Sequence, residues 1–256
     1  MVASRRVAYP LASGWLAQAR YRAATQILAI SQFVANSLSK SGIPADRIAV
    51  VHDGVELPAP CTADVRQRAR ARWGVAEDQP LIGCVGYLLP GKGQEHLLRA
   101  MPAVLQEFPR ARVLMVGAGP SRLHLEALAR EQGIARAVSF TGLLEDLTRV
   151  YAALDVFAFP ALNEGLGTAL LMAMSWGLPV VAVASGGVPE AVEDGTSGLL
   201  AAEPSGLAAC ILRLLRDPDL AKRLGRAARA ATEQCFTADH MVEATLRVYE
   251  AALAGR

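Results

Sequence analysis

Short apolar runs that alternate with amphipathic stretches constrain the fold of this 256-residue chain more than any other feature. The runs are rich in β-branched residues, as buried strands are. Strands that are apolar almost throughout are covered on both faces, which is typical of parallel sheets. Residues 80–202 therefore predict an α/β fold with a Rossmann-like, doubly wound parallel sheet. The predicted strands are 27–30, 48–51, 81–86, 112–117, 138–141, 155–160 and 179–183.

The segments between these strands have helical patterns. From residue 97 to residue 108 the apolar residues recur three and four apart, so they form one face of an amphipathic helix. Pro102 stands inside this pattern. Because a proline has no backbone N–H to donate, we expect it to bend or interrupt the helix.

Residues 57–80 break the alternation with prolines and an arginine-rich run. We interpret this segment as a linker followed by a short helix. Its arginines would spread around that helix, which favours a solvated face over a patch for acidic lipid headgroups. The arginines concerned are Arg66, Arg68, Arg70 and Arg72.

Composition and charge exclude several classes of function. The net charge of +2 is too small to indicate a nucleic-acid partner. The four cysteines lack the paired spacing of a zinc site, and their scatter fits a reducing, cytoplasmic location. No apolar run is long enough to cross a bilayer, and the first residues lack the apolar core of a signal peptide.

Lys92 marks the first candidate half-site. A predicted strand ends at Gly86, and a turn that begins at Tyr87 leads to Lys92 and Gly93 at the start of the next helix. A helix start offers unpaired backbone N–H groups and a partial positive charge, and an ammonium beside it adds a full charge. This combination suits an anionic group such as a diphosphate.

A second half-site follows the predicted strand at 155–160. There a polar loop becomes a helix in the run Asn163, Glu164, Gly165, Leu166, Gly167 and Thr168. The glycines let a ligand approach the backbone, and the amides of residues 166–168 could bind a phosphate without a cation. Glu164 would stand beside that phosphate and accept hydrogen bonds from the hydroxyls of an attached sugar. A plain N-cap role for Asn163 or Glu164 is the alternative.

Several blocks, in their order and spacing, resemble the donor-binding half of the family 4 retaining glycosyltransferases. The resemblance runs from about Ile27 to the C-terminus and implies the two-domain GT-B fold. The blocks are GYLLPGKG at 86–93, VGAGP at 116–120, FTG at 140–142, EGLG at 164–167, GLPVV at 177–181, SGGVPE at 185–190 and DG at 194–195.

The resemblance implies roles for individual residues. Lys92 matches the lysine that neutralises the donor diphosphate, and Glu164 matches the first glutamate of a pair and contacts the transferred sugar; these two are the predicted catalytic residues. The turn at Gly186 and Gly187 matches a loop that lines the donor pocket, and residues 140–144 match a region beside the nucleotide base. The predicted donor-binding set is Gly86, Tyr87, Lys92, Gly93, Gly117, Gly142, Leu143, Asn163, Glu164, Gly165, Leu166, Gly167, Thr168, Met172, Gly186 and Gly187.

Two residues depart from the family pattern. Tyr87 stands where many relatives have a second cation for the diphosphate, and Met172 stands where the second glutamate would bind the ribose. Tyr87 can still donate a hydrogen bond, but Met172 cannot accept one from a hydroxyl. Losing a hydrogen bond to a charged acceptor costs about 1.5–3 kcal/mol, which lowers donor affinity by about tens to hundreds of fold unless another group substitutes.

The resemblance also divides the chain. Residues 1–56 match a remnant of the N-terminal acceptor domain and the crossover, residues 57–235 the nucleotide-sugar-binding domain, and residues 236–256 a C-terminal helix that crosses back. An apolar stripe on that helix would lack its usual cover, so we expect either a separate N-terminal domain as partner or self-association. The stripe is Met241, Val242, Thr245, Val248, Tyr249, Ala252 and Leu253.

The function implied by the resemblance is transfer of a hexosyl unit from a nucleoside diphosphate sugar to an acceptor hydroxyl, with retention of configuration and without a bound metal or cofactor. Polysaccharide or glycolipid assembly is the commonest setting of such enzymes, which leaves a peripheral contact with the inner face of the membrane open. A remnant that binds nucleotides without transferring sugar is one alternative. A nicotinamide-dependent dehydrogenase, suggested by Gly117-Ala118-Gly119, is the other, although no acidic residue plainly follows at the end of the next strand.

Overall fold

The computed structural model describes residues 1–7, 9, 19 and 21–254, which contain two parallel β-sheets. The first sheet has the order β1-β2-β3 and comprises β1 (Val2–Arg5), β2 (Gln26–Ala29) and β3 (Ile48–Val50). β1 was not predicted, because its short sequence contains Ser4 and Arg5 and depends on pairing with the apolar β2. Part of the predicted remnant 1–56 and the last two residues of the predicted segment 236–256 lie outside the described residues.

The second sheet has six strands in the order β6-β5-β4-β7-β8-β9, and every neighbouring pair is parallel. This order confirms the predicted α/β, Rossmann-like fold. The strands are β4 (Leu81–Val85), β5 (Arg112–Val116), β6 (Val138–Gly142), β7 (Val156–Phe159), β8 (Val180–Val183) and β9 (Leu199–Ala201). β9 was not predicted, because its residues Leu199, Leu200 and Ala201 include no β-branched side chain, the signal that marks the predicted strands.

Helices connect and cover these strands. They are α1 (Gln32–Lys40), α2 (Ala63–Arg72), α3 (Gln94–Glu107), α4 (Arg122–Glu131), α5 (Thr148–Ala153), α6 (Thr168–Ser175), α7 (Val188–Ala191), α8 (Leu207–Arg216), α9 (Pro218–Cys235) and α10 (Ala238–Ala254). Short 3₁₀ turns lie at Ala45–Arg47, Ala135–Ala137 and Pro204–Gly206. Within the described part of the chain, no helix combines the length and the apolar character that crossing a membrane requires.

Successive residues of β7 point to opposite faces of the six-stranded sheet, and both faces are buried. Phe157 belongs to one hydrophobic cluster together with Leu170 on α6, whereas Val156 belongs to a second cluster together with Leu97 on α3. This two-sided burial explains why the strand sequences are apolar almost throughout.

The strand order reverses between β4 and β7. The chain proceeds from β4 through β5 to β6, returns to β7 on the other side of β4, and then proceeds outward to β9. The loops after β4 and β7 therefore leave the same edge of the sheet in opposite directions, and a crevice opens between them. In sheets of this kind, ligands bind at that crevice.

Helix α3 continues through Pro102, so the expected interruption is wrong. A proline loses the hydrogen bond to the carbonyl four residues earlier, here that of Leu98. Leu98, Met101 and Val104 are nevertheless fully buried around it. Burial of this apolar face offsets the lost bond, and such tertiary packing is not contained in the local pattern.

The arginines of α2 do not form a simple solvated face. Arg70 is buried, and its Nη1 donates to Oδ2 of Asp155 at 3.0 Å. Arg66 donates to the other oxygen of the same carboxylate. Arg68 and Arg72 are exposed as predicted. The prediction is wrong for Arg66 and Arg70. Their partner, Asp155, lies far along the chain, so the local sequence pattern around the arginines does not reveal it.

Substitution of Asp155 tests this ion-pair network. Oδ2 of Asp155 also accepts the N–H of Leu81 at the start of β4, at 2.7 Å. Asp155→Ala leaves the buried Arg70 without its partner, so we expect the free energy of unfolding to fall by about 3–5 kcal/mol, measured by urea denaturation. Asp78→Ala breaks an exposed pair with Arg110 and should have a much smaller effect. Equal losses in the two variants would contradict this role of Asp155.

The last helix, α10, has two apolar stripes instead of one. The inner stripe, on the side of the helix that is buried or half-buried, consists of Met241, Thr245, Val248 and Ala252. The outer stripe, whose residues are between 44% and 67% exposed, consists of Val242, Leu246, Tyr249 and Leu253. The predicted stripe mixed members of both and omitted Leu246. α10 contacts β2 of the three-stranded sheet, whereas the domain boundaries after residues 56 and 235 stay predictions.

The outer stripe predicts self-association that increases with concentration. Leu246→Glu places a charge in the middle of the stripe, so this variant should shift toward monomer in sedimentation-velocity experiments over a range of concentrations. Leu123→Glu is the control, because Leu123 is 78% exposed on a different helix, α4. A wild-type chain that stays monomeric at every concentration would show that the stripe does not drive association.

Candidate functional site

A cleft of about 200 Å³ opens at the carboxyl ends of β4 and β7, where the strand order reverses. The loop after β4, the loop after β7 and the start of α6 form its wall. The lining residues are Cys84, Val85, Gly86, Tyr87, Lys92, Gln94, Phe159, Pro160, Ala161, Glu164, Gly167, Thr168 and Ala169. Both predicted catalytic residues thus face one cleft. A larger cavity of about 680 Å³ lies at the opposite, amino edge of the strands, near Asp155 and Trp176, and contains no predicted donor residue.

Lys92 and Glu164 form an ion pair in this cleft. Nζ of Lys92 lies 2.6 Å from Oε2 of Glu164. The side chains are 36% and 20% exposed, so water reaches both. Because ion pairs that water reaches contribute little to stability, opening this pair costs little. The pair is therefore better suited to exchange partners with a ligand than to hold the fold together.

Close main-chain contacts join the two loops that carry these side chains. Gly93 has a φ of 72°, and a Cβ on it would lie 1.9 Å from the carbonyl oxygen of Pro160. The N–H of Leu162 donates to the carbonyl oxygen of Gly91 at 3.1 Å. A side chain at Gly93 would separate the loops. The glycine turn therefore sets the distance between Lys92 and Glu164.

Helix α6 begins at the cleft. Its N-cap is Gly167, with a φ of 100°, and no side chain caps it. The alternative of an N-cap role for Asn163 or Glu164 is therefore wrong. The first N–H groups of a helix have no intrahelical partner, and Gly167 and Thr168 line the cleft. The amide site predicted for a phosphate thus opens into the same cleft as the ammonium of Lys92.

Gly186 and Gly187 pack against the main chain of the loop that carries Glu164. A Cβ on Gly186 would lie 2.2 Å from the carbonyl oxygen of Glu164, and a Cβ on Gly187 would lie 1.9 Å from that of Gly165. These glycines therefore let the loop after β8 pack directly on the main chain of the Glu164 loop. Among the described residues, neither glycine is part of the cleft wall, so a direct contact between this loop and a donor stays a prediction.

Four further residues of the predicted donor-binding set, Leu143, Asn163, Leu166 and Met172, are not part of the cleft wall. Leu166 is fully buried in the core, so its backbone alone is available to a ligand. Asn163 adopts a left-handed φ of 53°, and its N–H donates to Oγ of Ser185 at 3.0 Å. Leu143 is 70% exposed after β6, and Met172 packs half-buried against the core. Nucleotide contacts by these residues stay predictions.

Gly117 and Gly142 form a bridge next to the turn at Gly86. The N–H of Gly117 donates to the carbonyl oxygen of Gly142 at 2.9 Å, and a Cβ on Gly117 would lie 2.0 Å from that of Gly86. A Cβ on Gly119 would lie 2.3 Å from the carbonyl oxygen of Leu88. In a dinucleotide site such glycines follow the first strand of the sheet and face a pyrophosphate. Here they follow β5 and pack against the loop after β4, which contradicts the dehydrogenase alternative.

Seven residues of the cleft wall are outside the predicted donor-binding set, and two of them, Gln94 and Cys84, have side chains with polar or reactive groups. Gln94 is buried, and its Nε2 donates to the carbonyl oxygen of Tyr87 at 2.9 Å, which fixes the turn before Lys92. A glutamine at a helix start is ordinarily exposed, so the sequence carries no signal for this contact. Cys84 is also buried, and burial raises the pKa of its thiol to about 12. This thiol is therefore neutral at pH 7 and packs as an apolar group rather than acting as a nucleophile.

Comparison with known proteins relates this cleft to a family. Residues 79–217 match the family model described as "Glycosyl transferases group 1". Over 220 residues the chain is 37% identical to the D-inositol 3-phosphate glycosyltransferase of Streptomyces avermitilis, a match that covers 81% of this chain and 47% of that relative. Over 177 residues it is 37% identical to the GDP-mannose-dependent alpha-(1-6)-phosphatidylinositol monomannoside mannosyltransferase of Mycolicibacterium smegmatis, covering 65% of this chain and 46% of that relative.

A solved structure also matches the fold of this chain. The structure of Anabaena HepE in complex with UDP-glucose matches with a TM-score of 0.85 and 25% identity, over 99% of this chain and 72% of HepE. The chain spans about half the length of the curated relatives it matches. The family match extends over more than half of the chain and contains both half-sites. This chain therefore belongs to the group 1 glycosyltransferase family.

Proposed function

We propose that this chain supplies the donor-binding half of a glycosyltransferase that moves a hexosyl unit from a nucleoside diphosphate sugar to an acceptor hydroxyl, with retention of configuration. The observation that carries the proposal is the Lys92–Glu164 pair in the cleft where the strand order reverses. Two comparisons support a nucleotide-sugar donor. The matching HepE structure contains UDP-glucose, and the Mycolicibacterium relative is named as GDP-mannose-dependent.

Lys92 and the start of α6 would stabilise the departing diphosphate. Negative charge builds on the diphosphate as its bond to the sugar breaks. Hydrogen-bond donors and positive charges that are already in place around such a charge often make the largest contribution to catalysis. Lys92 supplies a full positive charge to the cleft. The first N–H groups of α6 supply partial positive charges from its other side.

Glu164 has to change partners when a donor binds. Without a donor, its Oε2 accepts a hydrogen bond from the ammonium of Lys92. A diphosphate carries more negative charge than one carboxylate, so it attracts that ammonium more strongly. The carboxylate of Glu164 is then free to accept hydrogen bonds from sugar hydroxyls. On this proposal the ion pair keeps both side chains in position until the donor replaces it.

A nucleotide-binding protein without transferase activity is the second candidate. Met172 on α6 favours it, because a thioether replaces the carboxylate expected to bind the ribose. Tyr87 favours it as well, since it brings no charge to the cleft where a second cation is expected. Transfer of radiolabelled hexose to an acceptor, or hydrolysis of the donor, separates an enzyme from such a binding protein.

We propose an acceptor from cell-envelope glycans or glycolipids. The support is that the matching relatives are named for an inositol phosphate and for a phosphatidylinositol monomannoside. A cytoplasmic location with peripheral contact at the inner face of the membrane would suit such acceptors. The N-terminal acceptor half that relatives carry is the proposed protein partner.

Titration calorimetry with UDP, GDP, ADP and NAD tests the donor site. At least one nucleoside diphosphate should bind, and NAD should not. Lys92→Ala should lower the affinity for that nucleotide by about ten- to a hundredfold, because a charged hydrogen bond is lost. Glu164→Gln removes the competing carboxylate but keeps Lys92, so affinity for the free nucleotide should hold or rise while preference for the nucleotide sugar falls.

Lys222→Ala is the control for these titrations, because Lys222 is an exposed lysine that is not part of the cleft wall. The Lys222→Ala variant should bind the nucleotide with the same affinity as the wild type. Unchanged affinity in Lys92→Ala would remove Lys92 from its role. Absence of binding by every nucleoside diphosphate would refute the proposed function.

Gly93→Ala tests the close approach of the two loops. A methyl group there would overlap the carbonyl oxygen of Pro160, so Lys92 should move away from Glu164 and nucleotide affinity should fall. Gly91→Ala is the matched control, since Gly91 also has a positive φ of 85° but a Cβ there meets no atom within 4 Å. Both changes carry a backbone cost of about 1–2 kcal/mol, and the overlap adds about 1–3 kcal/mol to the destabilisation of Gly93→Ala alone. Calorimetry and chemical denaturation measure both effects, and equal results for the two variants would argue against this role of Gly93.

A further inference from the structure

Glu190 on α7 binds the start of α1, a helix next to the three-stranded sheet. Its carboxylate accepts the N–H of Gln32 at 2.7 Å and the N–H of Phe33 at 2.8 Å. Nε2 of His52 lies 3.2 Å from the same carboxylate. The first turn of α1 has no acidic residue of its own. Glu190 therefore supplies, from the distant end of the chain, both the hydrogen bonds and the negative charge that a helix start favours.

The segment that precedes Glu190 holds the loop of Glu164. The N–H of Gly187 donates to the carbonyl oxygen of Glu164 at 2.9 Å. Oγ of Ser185 accepts the N–H of Asn163 at 3.0 Å. Residues 185–190 are thus fixed to α1 at one end and to the main chain of the Glu164 loop at the other.

The N-terminal part of the chain also touches this loop directly. A Cβ on Gly165 would lie 2.7 Å from Cδ1 of Ile30, and a Cβ on Gly187 would lie 3.1 Å from Cβ of Ser31. These approaches leave little space between the start of α1, the segment 185–190 and the loop after β7. A shift of α1 would therefore displace the Glu164 loop as well.

We propose that Glu190 is a positioning residue for the donor site. It fastens the segment 185–190 to α1 and thereby sets the position of the Glu164 backbone. This inference rests on the proposed function, in which Glu164 contacts the transferred sugar. Lys92 is held separately, through the contact of Gly93 with Pro160, so binding of the diphosphate should not depend on Glu190.

Glu190→Gln tests the proposal, because the amide keeps the shape of the side chain and loses its charge. Calorimetry with UDP, UDP-glucose, GDP and GDP-mannose gives, for the nucleotide that binds best, the ratio of nucleotide-sugar affinity to free-nucleotide affinity. We expect this ratio to fall by about tenfold, as for a weakened charged hydrogen bond, with nearly unchanged affinity for the free nucleotide. An unchanged ratio, or an equal loss for both ligands, would overturn the positioning role.

Two control variants separate positioning from general stability. Glu193→Gln removes a charge from an exposed glutamate on the same connection. Ser31→Ala removes the neighbouring cap of α1, in which Oγ accepts the N–H of Val34 at 3.1 Å, and leaves Glu190 in place. Neither should change the ratio. If Ser31→Ala lowered it as much as Glu190→Gln, the effect would be one of helix stability and the proposal would fail.

Hydrogen–deuterium exchange tests the same link without a ligand. In Glu190→Gln, amides of residues 31–34 and of residues 163–167 should both exchange faster, whereas in Ser31→Ala the first group alone should change. Unchanged exchange at 163–167 in Glu190→Gln would overturn the inference. Because this measurement needs no nucleotide, it decides the role of Glu190 even if the chain binds none and the proposed function fails.

Discussion

The pairing of β4 with β7 is the constraint on which the rest of the structure depends. The two strands are far apart along the chain, yet they lie in parallel register at the centre of the six-stranded sheet. Gly83 permits the packing around this pair, since a Cβ on it would lie 2.2 Å from the side chain of Leu154. Both strands end at the same edge, so Lys92 and Glu164, 72 residues apart in the sequence, meet in one cleft.

Two ion pairs at opposite edges of this sheet differ in what they can do. Arg70 is buried against Asp155 at the amino edge and also bonds main-chain carbonyl oxygens. Taking away one member of such a pair leaves a buried charge without compensation, so this pair has to stay closed. Lys92 and Glu164 at the carboxyl edge are partly exposed to water. Their pair costs little to open, and this difference in burial suits the first pair to structure and the second to ligand exchange.

What the sequence reveals depends on whether a feature is local. Most of the buried strands and the glycine turn before Lys92 were predictable, because apolar runs and φ-permissive residues act over a few neighbours. The joint cleft of Lys92 and Glu164 followed from one further rule, that parallel strands end at a common edge. Asp155 with Arg70, and Glu190 with the start of α1, were not predictable in this way. Their partners are 85 and 157 or 158 residues away, and nothing in the local pattern names them.

The extent of the donor site does not coincide with the extent of the six-stranded sheet. Lys92 is anchored within that sheet, through the contact of Gly93 with the carbonyl oxygen of Pro160. The loop of Glu164 packs on one side against residues 185–187 and on the other against Ile30, which precedes α1. A cut at the predicted boundary after residue 56 would keep the first support and remove the second, and it would also separate Glu190 from the N–H groups that it caps. The diphosphate end of the site is thus a property of one sheet, whereas the sugar end depends on how the N-terminal residues lie against it.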